Sequence, residues 1–102
     1  MPKAYVLVEM AVTDPEAFEA YKSLAAQAAV AYGGRYLARG GQTELLEGVG
    51  VPSRVTLLEF PDLETAITWY GSPEYGEARA ARAGAATARF VAVEGVAVEE
   101  LA

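Results

Sequence analysis

Apolar and amphipathic segments alternate along the chain and predict two similar halves, each containing strands and a helix. Residues 4–12 are rich in β-branched and aliphatic side chains. They are too apolar for a strand with one solvent-exposed face, so we expect a central strand covered on both sides. Asp14, Pro15 and Glu16 then supply an N-cap, a first-turn proline and an acidic residue for the positive end of the dipole. A helix is therefore predicted to begin there.

The first predicted helix covers residues 15–32. Gly33–Gly34 follows and supplies the left-handed residue that ends a helix. The larger side chains recur three and four positions apart, which places them on one face. That face is predicted to hold Phe18, Tyr21, Ala25, Ala28 and Tyr32.

A hairpin with a long tip is predicted in the middle of the chain. Residues 35–39 resemble a strand that is interrupted at Gly40–Gly41 by a bulge or a close backbone approach and resumes over residues 42–47. The glycine-rich segment 48–53 predicts a turn. Residues 54–60 then predict the third strand.

A split second helix follows the hairpin. Pro61 and Asp62 end the third strand and begin the helix, Gly71 breaks it, and Ser72 caps a second piece that runs toward Gly84. The predicted core face of the first piece holds Leu63, Ala66, Ile67 and Tyr70.

The last apolar run, residues 89–94, is predicted to form the fourth strand before a short tail to Ala102. The order β-α-β-β-α-β is the ferredoxin-like α+β arrangement, a single domain over residues 1–102. We expect a four-stranded antiparallel or mixed sheet whose first and third strands are parallel central neighbours, with both helices on one face.

The face of this sheet that the helices leave open is predicted to be apolar. Alternation assigns to it Tyr5, Leu7, Val55, Leu57, Phe90 and Ala92. Nothing else in the chain is available to cover these side chains, so we expect a symmetric homodimer.

Composition excludes several kinds of chemistry. The 102 residues include no cysteine and no histidine, which removes thiolate sites, the commonest metal ligand and the commonest general base. The net charge of −6 has the wrong sign for binding nucleic acid or an anionic membrane. The start of the chain lacks the apolar core of a signal peptide, so the default expectation is a cytoplasmic protein.

Three stretches of the sequence resemble a known family. They are residues 32–41, 58–61 and 69–75, which read YGGRYLARGG, LEFP and WYGSPEY. They are similar to the family catalogued as domain of unknown function 1330 (DUF1330). The resemblance implies the fold of the dimeric α+β barrels, a superfamily that includes cofactor-free monooxygenases, muconolactone isomerases and haem-degrading enzymes. Haem is not expected, because no histidine is present to ligate it, and no other cofactor is implied.

Charges on the predicted open face form the first candidate site. Alternation places Glu9, Glu59 and Glu94 there, with Arg39 from the second strand within reach of Glu59. Two carboxylates sharing one arginine would have separated pKa values, as an acid/base pair requires. The alternative is a buried ion pair that sets the register or joins subunits. No metal is expected, since a hard cation would need all three glutamates to converge.

Aromatic residues on the helices form the second candidate site. Their rings could line a pocket between helices and sheet, or pack as ordinary core. The candidates are Tyr21, Tyr32, Trp69, Tyr70 and Tyr75. Trp69 and Tyr70 diverge by about 100° around the helix, so only one of them faces the core and the other lines an opening.

Arg79 and Arg82, three positions apart, share a helix edge. They could hold a carboxylate or phosphate, or pair with Glu74, Glu77 or a carboxylate of a partner subunit.

These features predict a small-molecule-binding homodimer with a pocket around Arg39 and Glu59. Two alternatives remain open. One is a cofactor-independent enzyme acting on a small organic acid or aromatic, in which Arg39 holds an anionic group and Glu59 or a tyrosine moves a proton. The other is a purely structural or partner-binding dimer. The ligand-binding candidates are Arg39, Glu59, Glu9, Trp69, Tyr70, Tyr32 and Arg82.

Overall fold

The computed structural model describes residues 2–50 and 54–97. Residues 51–53 of the predicted turn at 48–53, and the predicted tail after residue 97, lie outside the described residues. The elements are β1 (Ala4–Val12), α1 (Pro15–Ala31), β2 (Arg35–Arg39), β3 (Arg54–Phe60), α2 (Leu63–Tyr70), α3 (Pro73–Ala81) and β4 (Ala86–Glu94). The predicted bounds of the first and third strands are confirmed, and the fourth strand begins three residues earlier than predicted.

The strands form one sheet in the order β2-β3-β1-β4, with every neighbouring pair antiparallel. This confirms the ferredoxin-like fold and the central position of β1 and β3. The prediction that β1 and β3 run parallel is wrong. The crossover through α1 returns β2 in the direction of β1, and the β2–β3 hairpin then reverses the chain, so β3 must oppose β1.

The predicted helix starts are confirmed by side-chain caps. The backbone N–H of Ala17 donates to Asp14 Oδ1 (3.2 Å), and that of Thr65 donates to Asp62 Oδ1 (2.7 Å). Ser72 Oγ accepts from the N–H of Tyr75 and begins α3 after the break at Gly71. Each cap satisfies a donor that the first helical turn leaves free.

The end of α1 depends on two glycines with different roles. Gly33 adopts a left-handed φ of 75°, and the N–H of Gly34 returns to the carbonyl oxygen of Ala29 (2.8 Å). A Cβ on Gly34 would lie 2.5 Å from Cε1 of the buried Phe60. The chain therefore turns tightly against β3 as it leaves the helix.

The core lies between the helices and one face of the sheet. Its largest fully buried side chains are Phe60, Trp69 and Tyr75. The predicted core face of α2 is partly wrong: Ala66 and Trp69 are buried, whereas Ile67 is 61% exposed and Tyr70 is 39% exposed. The large indole of Trp69 points into the core, so the side chains of Ile67 and Tyr70 point toward solvent.

The predicted continuation of the second strand over residues 42–47 is wrong, because β2 ends at Arg39 and residues 42–46 have no regular structure. The irregularity in pairing lies earlier than Gly40–Gly41: the register with β3 shifts between Tyr36 and Ala38. Leu37 is therefore the extra residue of a bulge.

The prediction of which β4 side chains face the helices is also wrong. Phe90 pairs with Val8, and Ala92 pairs with Val6, so both lie on the helix-covered face with those buried partners. The open face instead contains Arg89, Val91 and Val93. Because β4 is an edge strand whose residues are mostly half-buried or exposed on both faces, its sequence does not distinguish the two phases.

The open face is apolar along its middle, as predicted for β1 and β3. Its apolar side chains are Tyr5, Leu7, Val55, Leu57, Val91 and Val93. Leu7 is 38% exposed and Val91 is 39% exposed. Within residues 2–50 and 54–97, no helix has both the length and the apolar character needed to cross a bilayer.

Candidate functional site

Glu59 lies on the open face of the sheet and is held by two cations. Its Oε1 accepts from Arg35 Nε at 2.9 Å and from Lys3 Nζ at 3.5 Å. The residue is only 8% exposed. Removal from water acts to raise the pKa of Glu59, but the hydrogen bond and charge of Arg35, with the charge of Lys3, hold it below its usual value. Glu59 is therefore an ionised, paired carboxylate.

Arg39 lies on the other face, so the predicted pair of Arg39 and Glu59 is wrong. Arg39 is opposite Thr56 in the register, its Nη2 donates to the carbonyl oxygen of Lys22 (2.6 Å), and its guanidinium carbon lies 4.3 Å from the ring centroid of Tyr36. Residues four apart in a regular strand share a face. The bulge at Leu37 breaks that rule, which leaves Arg35 with Glu59 and turns Arg39 toward α1.

The remaining predicted carboxylates do not join Glu59. Glu9 is bound by Arg89 on the open face, with Arg89 Nη1 2.8 Å from Glu9 Oε1. Glu94 is opposite Ala4 in the register and is exposed, on the face away from Glu9. Among residues 2–50 and 54–97, no group of three acidic side chains could hold a metal ion together.

The aromatic candidates lie in the layer between the helices and the sheet. Trp69 is 2% exposed, and its ring centroid is 4.9 Å from that of Phe60 and 4.8 Å from that of Tyr75. The hydroxyl oxygens of Tyr21 and Tyr75 lie 3.0 Å apart. Burial, followed by the neighbouring Tyr75, raises the pKa of Tyr21 well above its usual value, so its hydroxyl stays protonated.

An inner cavity of about 20 Å³ lies between α1 and the sheet. Tyr21, Tyr36 and Arg39 contribute to its wall, together with Thr56 and Arg54. Burial raises the pKa of Tyr36, although the charge of Arg39 opposes the shift. A volume of this size holds about one water molecule and no organic ligand.

A larger cleft of about 310 Å³ opens beside α2 and the edge strand β4. Its walls are apolar and include the side chains of Ile67, Trp69, Tyr70 and Phe90. Trp69 forms the buried end and Tyr70 lies partly in solvent, as expected for adjacent helix residues that diverge. The indole Nε1 of Trp69 is buried and has no hydrogen-bond partner among the described residues.

Arg79 and Arg82 stack on the rings that border this cleft. The guanidinium carbon of Arg79 is 4.5 Å from the ring centroid of Tyr70, and that of Arg82 is 5.6 Å from the ring centroid of Phe90. Arg79 Nη2 also donates to the carbonyl oxygen of Tyr70 (2.8 Å). Both Nε atoms are buried without an acceptor in the part of the chain that is described. Among the described residues, neither arginine forms the expected ion pair with Glu74 or Glu77.

Tyr32 lies apart from both the cavity and the cleft. Its hydroxyl donates to Glu74 Oε1 at 2.9 Å, which joins the end of α1 to the start of α3. The hydrogen bond to Glu74 raises the pKa of Tyr32. Its position indicates a contact between the helices rather than a binding residue.

A comparison with known protein families identifies the family of this chain. Residues 3–96 match the family described as domain of unknown function (DUF1330). The chain belongs to this family. The sequence resemblance noted above is thereby confirmed over nearly the whole chain.

Solved structures similar to this DUF1330 chain share its fold. The RPA0582 protein of unknown function from Rhodopseudomonas palustris is 19% identical, with a TM-score of 0.74 over 94% of this chain and 84% of that one. SnoaB, a cofactor-independent oxygenase from Streptomyces nogalater, is 11% identical, with a TM-score of 0.63 over 96% and 97%. A dimeric ferredoxin-like protein of unknown function from Bacteroides fragilis is 16% identical, with a TM-score of 0.58 over 90% and 95%. No curated protein matches the chain.

Sequence reasoning missed Arg54, Tyr36 and Phe90 of the DUF1330 chain. Arg54 begins β3 beside the end of β2, and its guanidinium carbon lies 5.5 Å from the ring centroid of Phe18. The predicted hairpin could have indicated the position of Arg54, because it brings residues 39 and 54 to neighbouring strand ends. Phe90 was missed because the phase of β4 was assigned to the wrong face.

Proposed function

We propose that this DUF1330 chain is a homodimer that binds a small aromatic molecule carrying a negative charge. The observation that supports it best is the cleft beside α2, whose aromatic walls are stacked against Arg79 and Arg82. The cleft supplies the apolar surface for a ring. The two arginines stack on the rings of Tyr70 and Phe90 without lining the cleft themselves, and they supply positive charge beside it for an anion.

Volume favours the cleft over the inner cavity as the binding site. About 310 Å³ lies within the range of small-molecule sites, whereas about 20 Å³ does not. The proposal therefore moves the ligand from Arg39 and Glu59, where the sequence suggested it, to Trp69, Tyr70 and Phe90. Arg39 remains at the wall of the inner cavity.

The arginines favour an anionic ligand over a neutral one. A buried N–H without an acceptor costs about 1–3 kcal/mol, and a carboxylate recovers that cost on binding. Arg79 and Arg82 each have such an Nε, and no described carboxylate lies within ion-pair distance of either. A ligand carboxylate would give both arginines the partner that the described chain does not provide.

A matched pair of ligands tests the binding site. We expect 1-naphthoate to raise the melting temperature and 1-naphthalenemethanol, which has a similar shape and no charge, to raise it much less. Arg82→Met should weaken naphthoate binding about tenfold, as expected for loss of a charge-assisted hydrogen bond. Arg89→Met, on the opposite face, is the control and should bind as the wild type does. Equal response to both ligands, or equal weakening in both variants, would contradict the proposal.

The homodimer is supported by the open face of the sheet. Leu7, Leu57 and Val91 form an apolar centre, and the ion pairs of Glu59 and Glu9 lie toward its two ends. An apolar centre with a charged rim is the usual composition of a protein interface. A second copy would cover this face by a two-fold axis, and the Bacteroides fragilis protein of the same fold is described as dimeric.

Sedimentation of two charge-insertion variants tests the dimer. Leu7→Arg places a charge at the centre of the apolar face and should produce a monomer at micromolar concentration. Val30→Arg, at a position of α1 that is 73% exposed, should leave the dimer intact. A monomeric wild type, or a dimeric Leu7→Arg variant, would refute the back-to-back arrangement.

A cofactor-independent enzyme is the second candidate. It is favoured by the buried hydroxyl pair of Tyr21 and Tyr75, since Tyr75 packs against Trp69 at the end of the cleft and could hold a proton for a bound ligand. SnoaB, which is described as a cofactor-independent oxygenase, has the same fold. Incubation of bound aromatic ligands with oxygen, followed by mass spectrometry, would detect turnover. Recovery of unchanged ligand would favour binding without reaction.

A further inference from the structure

The connection between β2 and β3 carries apolar side chains far from any core. We call residues 40–50 the β2–β3 arm; it contains no helix or strand, and all of its residues are exposed. Leu46 is 92% exposed and Val49 is fully exposed, at 101%. A stable monomer rarely displays large aliphatic side chains in this way along one segment. The arm therefore has the composition of a contact surface.

Two acidic residues accompany these apolar side chains. Glu44 and Glu47 lie on either side of Leu45 and Leu46 in the sequence, and neither forms an ion pair with a described residue. The arm thus presents an acidic, leucine-containing motif to solvent.

A basic groove lies on the body of the same molecule. It runs between α1 and the ends of β2 and β3, has a volume of about 540 Å³, and is lined by Lys22, Ser23, Ala26, Gln27, Arg39 and Arg54. Its three cations belong to a chain of net charge −6 with only eight basic residues. Within the described residues, Lys22 is paired with Glu19, whereas Arg39 and Arg54 have no carboxylate within ion-pair distance. The groove therefore complements an acidic segment.

The local backbone directs the arm away from its own groove. Gly40 adopts a left-handed φ of 68°, and a Cβ at this position would clash with the guanidinium of Arg54, so the chain turns closely past Arg54 as it leaves β2. The arm follows Arg39 immediately, yet its carboxylates do not reach Arg39 or Arg54. A second copy can approach the groove without this constraint.

We propose that the β2–β3 arm of one protomer lies in the basic groove of its partner, where Glu44 and Glu47 pair with Arg39 and Arg54. The two-fold axis makes the exchange reciprocal, so each protomer gives one arm and receives one. This inference rests on the proposed homodimer. The received arm would also cover the side of the inner cavity that Arg39 borders, so that this cavity is complete only in the assembly.

Complementary charge reversal tests the exchange. Glu44→Arg with Glu47→Arg gives one variant, and Arg39→Glu with Arg54→Glu gives the other. Each should dissociate at least about tenfold more readily than the wild type, because like charges then face each other. Mixing the two should produce a heterodimer, since both of its arm–groove contacts have opposite charges. Native mass spectrometry distinguishes the heterodimer from either homodimer.

Two outcomes would overturn the proposal. One is that both variants dimerise as tightly as the wild type. The other is that mixing gives no heterodimer while a chain carrying all four substitutions regains wild-type stability, which would mean that the arm closes over its own groove. If the wild type itself is a monomer, the exchange and the dimer both fail, whereas naphthoate binding in the separate cleft still decides the ligand proposal.

A milder pair of variants decides the question if the reversed chains do not fold. Leu46→Ser changes a side chain that makes little contact with its own molecule, so folding should be unaffected. We expect it to raise the dimer dissociation constant at least about fivefold. Val30→Ser, also strongly exposed, should not. Equal dissociation constants for both variants and the wild type would refute the arm contact.

Discussion

The two faces of the sheet differ in how they accommodate charge. On the open face, Arg35 pairs with Glu59 and Arg89 pairs with Glu9. On the helix side, Arg39, Arg54, Arg79 and Arg82 stand against aromatic rings, and no described carboxylate is within ion-pair distance of them. Four of the six arginines thus have no carboxylate partner among the described residues, and all four lie on the helix side of the sheet.

This difference distinguishes charged side chains that fix the geometry of the fold from charged side chains that can still bind an anion. A paired carboxylate that is nearly buried fixes geometry, because breaking the pair leaves a charge without solvent or partner. An arginine that is stacked on a ring and has no carboxylate partner retains its capacity to bind an anion. The helix side therefore suits the ligand site proposed above, and the open face suits the proposed dimer interface.

The largest expected effect is the loss of packing on the helix side. Trp69→Ala should lower the free energy of unfolding by about 3–5 kcal/mol, since a fully buried ring is removed from contact with Phe60 and Tyr75. Val91→Ala on the open face should cost less than about 1 kcal/mol in a dilute, monomeric sample, because that side chain is already 39% exposed. Chemical denaturation measures both. Similar losses would mean that the two faces do not differ in packing.

The next effect concerns the pair of tyrosine hydroxyls on the helix side. Tyr21→Phe leaves the hydroxyl of Tyr75, which is 0% exposed, without its partner and should cost about 1–3 kcal/mol. The double variant with Tyr75→Phe should cost less than the sum of the single variants, because no unpaired hydroxyl remains. Tyr5→Phe on the open face is the control. Additive losses would show that the two hydroxyls act independently.

Removal of one arginine from each ion pair compares the two ends of the open face. Arg89→Met should cost about 0.2–1 kcal/mol, as for an exposed pair, since the Glu9 side chain is 33% exposed. Arg35→Met should destabilise the protein more, because the Glu59 side chain is only 11% exposed and keeps only Lys3 at 3.5 Å. Thermal unfolding at low ionic strength measures the difference. A larger loss for Arg89→Met would reverse our ranking of the pairs.

The smallest expected effect is the acid dependence that comes from Glu59. Its pKa in the folded protein lies below that of the unfolded chain, so ionisation stabilises the fold above the unfolded pKa of about 4.3. That contribution is lost as the pH falls from about 5 through the lowered pKa. Wild type should therefore exceed Glu59→Gln in stability at neutral pH, and the difference should shrink below pH 5. A pH-independent difference would exclude this linkage.

Local signals in the sequence predicted most of the secondary structure. Asp14, Asp62 and Ser72 cap helices where their chemistry indicated, and the continuous apolar runs gave the bounds of β1 and β3. The candidate site was predicted less well. Trp69 and Tyr70 do line one cleft, and Arg82 stacks on Phe90 in its wall, whereas Arg39 and Glu59 lie on opposite faces of the sheet.

The sequence by itself determined the order of elements, the ferredoxin-like fold and the apolar open face, because helix caps and hydrophobic periodicity act over a few residues. Only the tertiary structure decided which charges meet. The bulge at Leu37 turns Arg39 to the other face, and the pairing of β4 with β1 turns Phe90 inward. A one-residue shift in a strand inverts every side chain after it, and that shift is set by contacts between distant segments rather than by neighbours along the chain.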